Sequence, residues 1–314
     1  MKRAIFILGF VLTIILSITL KLCCPKEDNL DLVANFDSSK FFAQAVFKPN
    51  IELEKDVRIT DYFDFMDSIV AKYDAITHYK LTEHHLVRAN PWIIDTLSNT
   101  DYYRMKKRDS FVYDQQRLIA LPKGAILQIP DAAKTEELSR KFSQTRIDIN
   151  IPEYRLRIFE DKLLLYNFPI RVGINEEKYL QTSGRVEDLK TKTGKGFIVG
   201  FDRYPKYINP ADGQQYYLTQ RDDDKLTKLP QIPFIETQIN GFRHGQLIHP
   251  TTNPKTLGKA YSNGCIGMRE SDVWLLYYHA PVGTKIEIRY DLEVVDTLGQ
   301  AINLEDIYDY KIKE

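Results

Sequence analysis

The stretch Ile248-His249-Pro250-Thr251-Thr252-Asn253-Pro254, followed further on by Ser262-Asn263-Gly264-Cys265-Ile266-Gly267-Met268, decides how this chain is read. Cys265 is the only cysteine after Cys24. One thiol, one upstream imidazole and a glycine before the thiol are enough for a cysteine–histidine acyl-transfer site. A thiol beside an imidazolium is rich in thiolate, and the thiolate is the nucleophile. The alternative is a free cysteine of the core, and the Ser-Asn-Gly flank argues against it. Two histidines lie nearby, His244 and His249. They are an odd number of positions apart, so in one regular strand they would face opposite sides and only one could reach the sulfur.

These segments resemble the active-site stretch of the L,D-transpeptidase catalytic domain family. His249, Thr251, Asn253, Pro254, Gly258, Ser262, Gly264, Cys265, Ile266 and Met268 fall on matching places, and the interval from His249 to Cys265 is 16 residues, as in family members. The resemblance selects His249 as base and Cys265 as nucleophile. It also implies backbone N–H groups of Gly264 and Cys265 as oxyanion donors. Three positions depart from the pattern. Pro250 replaces a glycine, Asn263 a histidine, and Gly267 the arginine two places after the nucleophile. The nearest arginine in sequence is Arg269. It stands with Ser262, Asn263 and Thr251 as a supporting or substrate-facing candidate.

Working outward, Phe234–Ile239 and Phe242–Ile248 flank Asn240-Gly241, a strong two-residue hairpin signal. His249 is thus expected at a strand end. Tyr154–Phe159 and Leu163–Phe168 flank Glu160-Asp161-Lys162 as a second hairpin. Thr191–Val199 resembles the family's turn before a strand. After the nucleophile, Ser271 is expected to cap a helix over Asp272–His279, with a strand following over Lys285–Arg289. Residues 201–233 are polar and proline-rich, a long loop of the kind often used as a lid. Asp222-Asp223-Asp224 reads as a solvated turn, because adjacent acids cannot all face one ion. The resemblance covers residues 147–290. It implies a mainly β catalytic domain, an L,D-transpeptidase-like β-sandwich with short helices.

Residues 60–131 are expected to form a smaller unit. Apolar residues at 62, 65, 66, 69, 70 and 73 have helical spacing. A second helix is capped by Thr82 and stops before Pro91. His84 and His85 are expected on its surface. Leu121–Pro130 reads as a turn and a strand. The order resembles a degenerate lysin motif, a small α/β glycan-binding module, with an insertion over 92–120; the competing reading is a helical spacer. The remaining segments are a linker at 25–59, containing a short helix over Ser39–Val46, and a C-terminal extension at 291–314.

Lys2 and Arg3 precede an uncharged run from Ala4 to Leu20. Residues 1–24 therefore read as a signal peptide or short membrane anchor, with Leu22-Cys23 a hint of lipid modification. The body is expected outside the cytoplasm, on the periplasmic side of the inner membrane. With 43 basic and 43 acidic residues, nothing in the charge argues for nucleic acid. The aromatic content of 12%, including 19 Tyr, suits β-structure or a carbohydrate-facing surface. The implied partner is peptidoglycan: its stem peptides at Cys265 and its glycan along 60–131. The implied reaction is formation of 3→3 cross-links through a Cys265 acyl-enzyme, with no metal or organic cofactor. An L,D-carboxypeptidase or wall-peptide hydrolase with the same nucleophile remains open, as does an inactive membrane-anchored wall-binding protein.

Overall fold

The computed structural model describes residues 47–295 and 298–311. The anchor expected at 1–24 and the helix expected over Ser39–Val46 lie outside them. Among the described residues, no helix is long and apolar enough to cross a membrane.

The chain opens with β1 (Asn50–Glu52), β2 (Val57–Arg58), α1 (Ile59–Asp74), α2 (Glu83–Ala89), α3 (Trp92–Ser98), α4 (Tyr102–Lys106), β3 (Ile119–Leu121) and β4 (Ile126–Gln128). β2 pairs with β3 and β1 with β4, both antiparallel. α1 buries Ile59, Tyr62, Phe63, Met66, Ile69 and Tyr73, one stripe at the 3.6-residue period. Thr82 caps α2 by accepting the His85 N–H, and the helix ends before Pro91. His84 and His85 are not surface residues. His84 stacks on Phe201 with ring centroids 5.6 Å apart and bonds the Tyr277 carbonyl through Nε2 at 3.0 Å. His85 bonds Ser139 Oγ at 2.8 Å. Neighbouring elements pack on both sides of α2, so a helix with polar residues on two sides loses its solvent face.

Then come α5 (Ala132–Gln144), β5 (Thr145–Asn150), β6 (Arg155–Glu160), β7 (Leu163–Pro169), β8 (Val172–Gly173), β9 (Glu177–Leu180), β10 (Arg185–Asp188), β11 (Gly194–Asp202), β12 (Leu218–Gln220), β13 (Leu226–Lys228), β14 (Phe234–Ile239), β15 (Leu247–Pro250), β16 (Ala260–Ser262), β17 (Ile266–Met268), α6 (Glu270–His279), β18 (Lys285–Arg289), β19 (Glu293–Val295) and β20 (Ala301–Asn303). Eight strands form one mixed sheet in the order β17-β15-β14-β11-β18-β5-β6-β7, and the rest form two-stranded pairs. The body is mainly β, as expected, but its organising layer is this single sheet.

Asn240 and Gly241 both have positive φ (51° and 84°), the mirror-image turn that matches strand twist. The returning strand is shorter than expected. It starts at Leu247, because the chain leaves the ladder after Phe242. α6 starts at Glu270, and its N-cap is Arg269 without a side-chain bond, not Ser271. The Ser271 N–H is instead taken by Asp101 Oδ2 at 2.9 Å, so a carboxylate from α4's own cap serves two helix starts.

The core is continuous from α1 to the sheet. The Tyr62 and Tyr278 hydroxyls meet at 2.6 Å, and Tyr62 and Phe63 lie against Trp274 at 6.3 and 6.0 Å. The described residues cluster as one compact unit.

Candidate active site

β15 and β17 run parallel at one edge of the sheet, with Ile248 beside Ile266 and His249 beside Gly267. Residues two apart on a strand share a face, and paired residues of neighbouring strands share it too. Leu247, His249 and Gly267 therefore lie on one side, and Cys265, just before β17, continues that row. The Leu247 N–H reaches Cys265 Sγ at 3.4 Å. Among the described residues, neither histidine hydrogen-bonds to the thiol.

His249 is partly buried against Phe234, with ring centroids 5.0 Å apart. Its Nδ1 lies 3.0 Å from the Pro250 carbonyl oxygen. A carbonyl only accepts, so the proton belongs on Nδ1 and Nε2 is left as the basic lone pair. Pro250 therefore keeps a useful group: proline lacks the N–H but retains the oxygen.

Burial, with a smaller contribution from the positive charge of Arg171, holds His249 down at about 4. Burial also pushes the Cys265 thiol up, against the Leu247 N–H and Arg171. Both shifts favour the neutral forms, a thiol and an uncharged imidazole. Desolvation disfavours both charged forms.

Gly264 adopts φ 101°, and a Cβ there would lie 2.5 Å from Gln246 Nε2. A side chain at 264 is excluded by conformation and by space. The loop is held from below. Thr191 Oγ1 donates to the Gly264 carbonyl at 2.9 Å and accepts the Gly173 N–H at 2.9 Å. Tyr308, fully buried, accepts the Thr191 N–H at 3.1 Å and donates to the Gly173 carbonyl at 2.9 Å. The C-terminal extension, without a role in the sequence reading, thus braces the loop that carries Cys265. Gln246 fixes the rim through the Lys192 N–H and Lys190 carbonyl, both at 2.9 Å.

The other candidates separate. Ser262 Oγ donates to the Cys265 carbonyl and shapes the loop. Asn263 is exposed and lines, with Cys265 and His244, a cavity of about 520 Å³ that also carries Arg185, Lys192 and Arg243. His244 sits in the loop before β15, so the strand-parity argument against it lapses. It is a cavity-wall residue. Thr251 is buried and accepts the Asn253 N–H at 3.2 Å, which makes it a turn residue. Arg269 is exposed at the start of α6, 4.0 Å from Asp272. Arg171 was missed altogether. Its signal was a lone arginine inside the apolar run Pro169-Ile170-Arg171-Val172.

The polar stretch 201–233 is pinned. Arg221, fully buried, pairs with Glu270 and bonds Gln115 Oε1 at 2.6 Å and Thr227 Oγ1 at 2.7 Å. The three aspartates diverge: Asp222 takes the Lys255 N–H, Asp223 pairs with Lys106, and Asp224 occupies the left-handed region.

Residues 144–288 match the family model described as the YkuD L,D-transpeptidase catalytic domain. That segment is similar to the L,D-transpeptidase catalytic domain family. A Bacillus licheniformis protein bearing the L,D-transpeptidase name YkuD is 29% identical over 143 residues, which is 46% of this chain and 64% of that relative. The chain therefore spans less than two thirds of the relative it matches. Among solved structures, the L,D-transpeptidase of Xylanimonas cellulosilytica (residues 123–326) aligns over 78% of this chain and 99% of its own, at 11% identity and TM-score 0.34. An L,D-transpeptidase from Mycobacterium smegmatis aligns over 46% and 58%, at 15% and 0.31. Both structural likenesses are slight, and the assignment rests on the sequence family.

Proposed function

We propose that this protein is a cysteine-dependent L,D-transpeptidase acting on peptidoglycan stem peptides outside the cytoplasm. The observation that carries the reading is the shared row of His249 on β15 and Cys265 just before the parallel β17, with the imidazole tautomer set by the Pro250 carbonyl. The thiol hydrogen passes to His249 Nε2 as the sulfur attacks the carbonyl carbon of the stem's third residue. The oxyanion is met by the Gly264 and Cys265 N–H groups. The C–N bond to the D-residue breaks, its nitrogen takes the proton from Nε2, and a thioester remains. The amine of a second stem attacks the thioester and gives up its proton to His249, and the thiol is restored on a 3→3 cross-link.

A hydrolytic outcome through the same thioester has its own support. The cavity beside Cys265, about 520 Å³ and carrying Arg185, Lys192, Arg243 and Asn263, has room for water as well as for an amine. Incubating the protein with tetrapeptide muropeptides and resolving products by mass spectrometry separates the readings. Cross-linked dimers with release of the terminal D-residue mark transfer, and tripeptide monomers alone mark an L,D-carboxypeptidase. Unchanged muropeptides would point to an inactive wall-binding protein. Glycan binding along residues 60–131 is a separate proposal, checked by sedimentation with purified wall after Cys265→Ala.

A further inference from the structure

The family pattern places an arginine at 267, and this chain has glycine. Gly267 lies in ordinary extended strand, without positive φ, so conformation does not require it. Space does. A Cβ at 267 would lie 2.4 Å from Arg171 Nε, 2.7 Å from its Cγ and 2.9 Å from its Cδ. Arg171 and Gly267 form a reciprocal antiparallel bridge, N–H to carbonyl at 2.9 and 3.0 Å, so the Arg171 side chain lies over the missing one. From there its guanidinium carries a charge felt by both Cys265 and His249.

That charge is poorly compensated. Nε is sealed from water without a partner, and Nη1 reaches Thr256 Oγ1 only at 3.4 Å. The groups facing it are Cys265, Tyr216, Tyr261 and His249, and among the described residues it makes no ion pair. The carboxylates beyond, on the cavity wall, are engaged elsewhere: Asp188 with Lys192, and Glu187 with Arg185. Arg171 is half-buried, and a partly desolvated cation without an anion is relieved when an anion forms beside it.

We propose that Arg171 is the positioning residue of this site, replacing in space the arginine absent from position 267 and supplying the fixed positive charge that receives the Cys265 thiolate as the proton leaves for His249. The proposal rests on the reading above only in taking Cys265 as the nucleophile.

Its test reads the thiol directly. Alkylation of Cys265 by iodoacetamide is followed from pH 5 to 10 in the full chain, by intact mass, beside circular dichroism melts. Arg171→Met is expected to move the alkylation midpoint up by about one pH unit and to slow alkylation about tenfold at pH 7, because one unit is a tenfold change in thiolate. Arg171→Lys should recover part of the shift. Gly267→Ala should reproduce the Met shift by pushing the arginine aside. Arg171→Ala combined with Gly267→Arg should return the profile to within about threefold of the parent, since the charge then enters from the neighbouring strand. A folded Arg171→Met protein with the parental profile overturns the proposal. Should Arg171→Met fail to fold, a double variant no faster than Arg171→Ala, or a Gly267→Ala protein with the parental profile, does the same. Because no muropeptide is involved, a chain without transpeptidase activity still gives a decisive result.

Discussion

At the scale of single residues, Cys265 and His249 share one face of the sheet edge, burial favours the neutral form of each, and the proposed chemistry needs a proton transfer from one to the other. His249→Gln should keep the fold and lower acylation by about 10²–10⁴-fold, the usual worth of a general base. Stopped-flow acylation by a chromogenic thioester would measure it. The imidazole works only when neutral. With His249 held at about 4, the acid limb of the acylation profile should fall near pH 4 and not near 6.5. A limb at 6.5 would mean that the ring is solvated as an ordinary histidine. His244→Ala should leave that limb in place. The proposed nucleophile and base could be picked out because spacing and residue type survive in the chain itself. The protonation states were not, since burial outweighs the mutual attraction of an ion pair, and burial belongs to the fold. Arg171 was hidden because its partner, Gly267, is distant in sequence and signals by lacking a side chain.

At the scale of elements, polar groups fix what hydrophobic patterning leaves loose. The Asn240-Gly241 turn was readable from two residues. The shortened β15 was not, because Arg243, His244 and Gly245 give up the ladder to wall the cavity. The stretch 201–233 looked like a lid, yet Arg221 and Glu270 anchor it through a pair with side chains 0% and 1% exposed. Glu270→Ala should cost about 3–5 kcal/mol in urea melts, the penalty of stranding a buried guanidinium. Helix α6 carries a second buried carboxylate, Asp272, raised to about 6 by desolvation; one of its oxygens has no hydrogen-bond partner. A raised carboxyl favours the fold while protonated, and that contribution is lost as the pH rises from 3.8 through about 6. Asp272→Asn should therefore stabilise the protein above pH 6, by up to about 3 kcal/mol, with the gain vanishing below pH 4. Thermal melts across that range would check it, and a gain that grows toward acid pH would contradict the sign.

At the scale of the whole molecule, the segment 144–288 leaves one side of its core to be covered by the N-terminal elements. Trp274, Tyr277 and Tyr278 on α6 are covered by Tyr62, Phe63 and Glu83 from the N-terminal elements, with Tyr278 bonded to Glu83 at 2.6 Å. Residues 47–314 should unfold in one transition, with near- and far-ultraviolet circular dichroism coinciding. A chain starting at residue 144 should lose its near-ultraviolet signal, because three large aromatics lose their cover. The helices themselves could be read from apolar spacing. Their attachment to α6 could not, since contacts across some two hundred positions leave no local trace. The proposed chemistry stands or falls on a Cys265 acyl-enzyme. Intact mass after mixing the protein with a tetrapeptide muropeptide reads it out. A thioester adduct of the donor less its terminal D-residue is expected, located at Cys265 and absent from Cys265→Ala. A turned-over substrate with no such adduct under rapid acid quench, or an adduct that persists in Cys265→Ala, would contradict it.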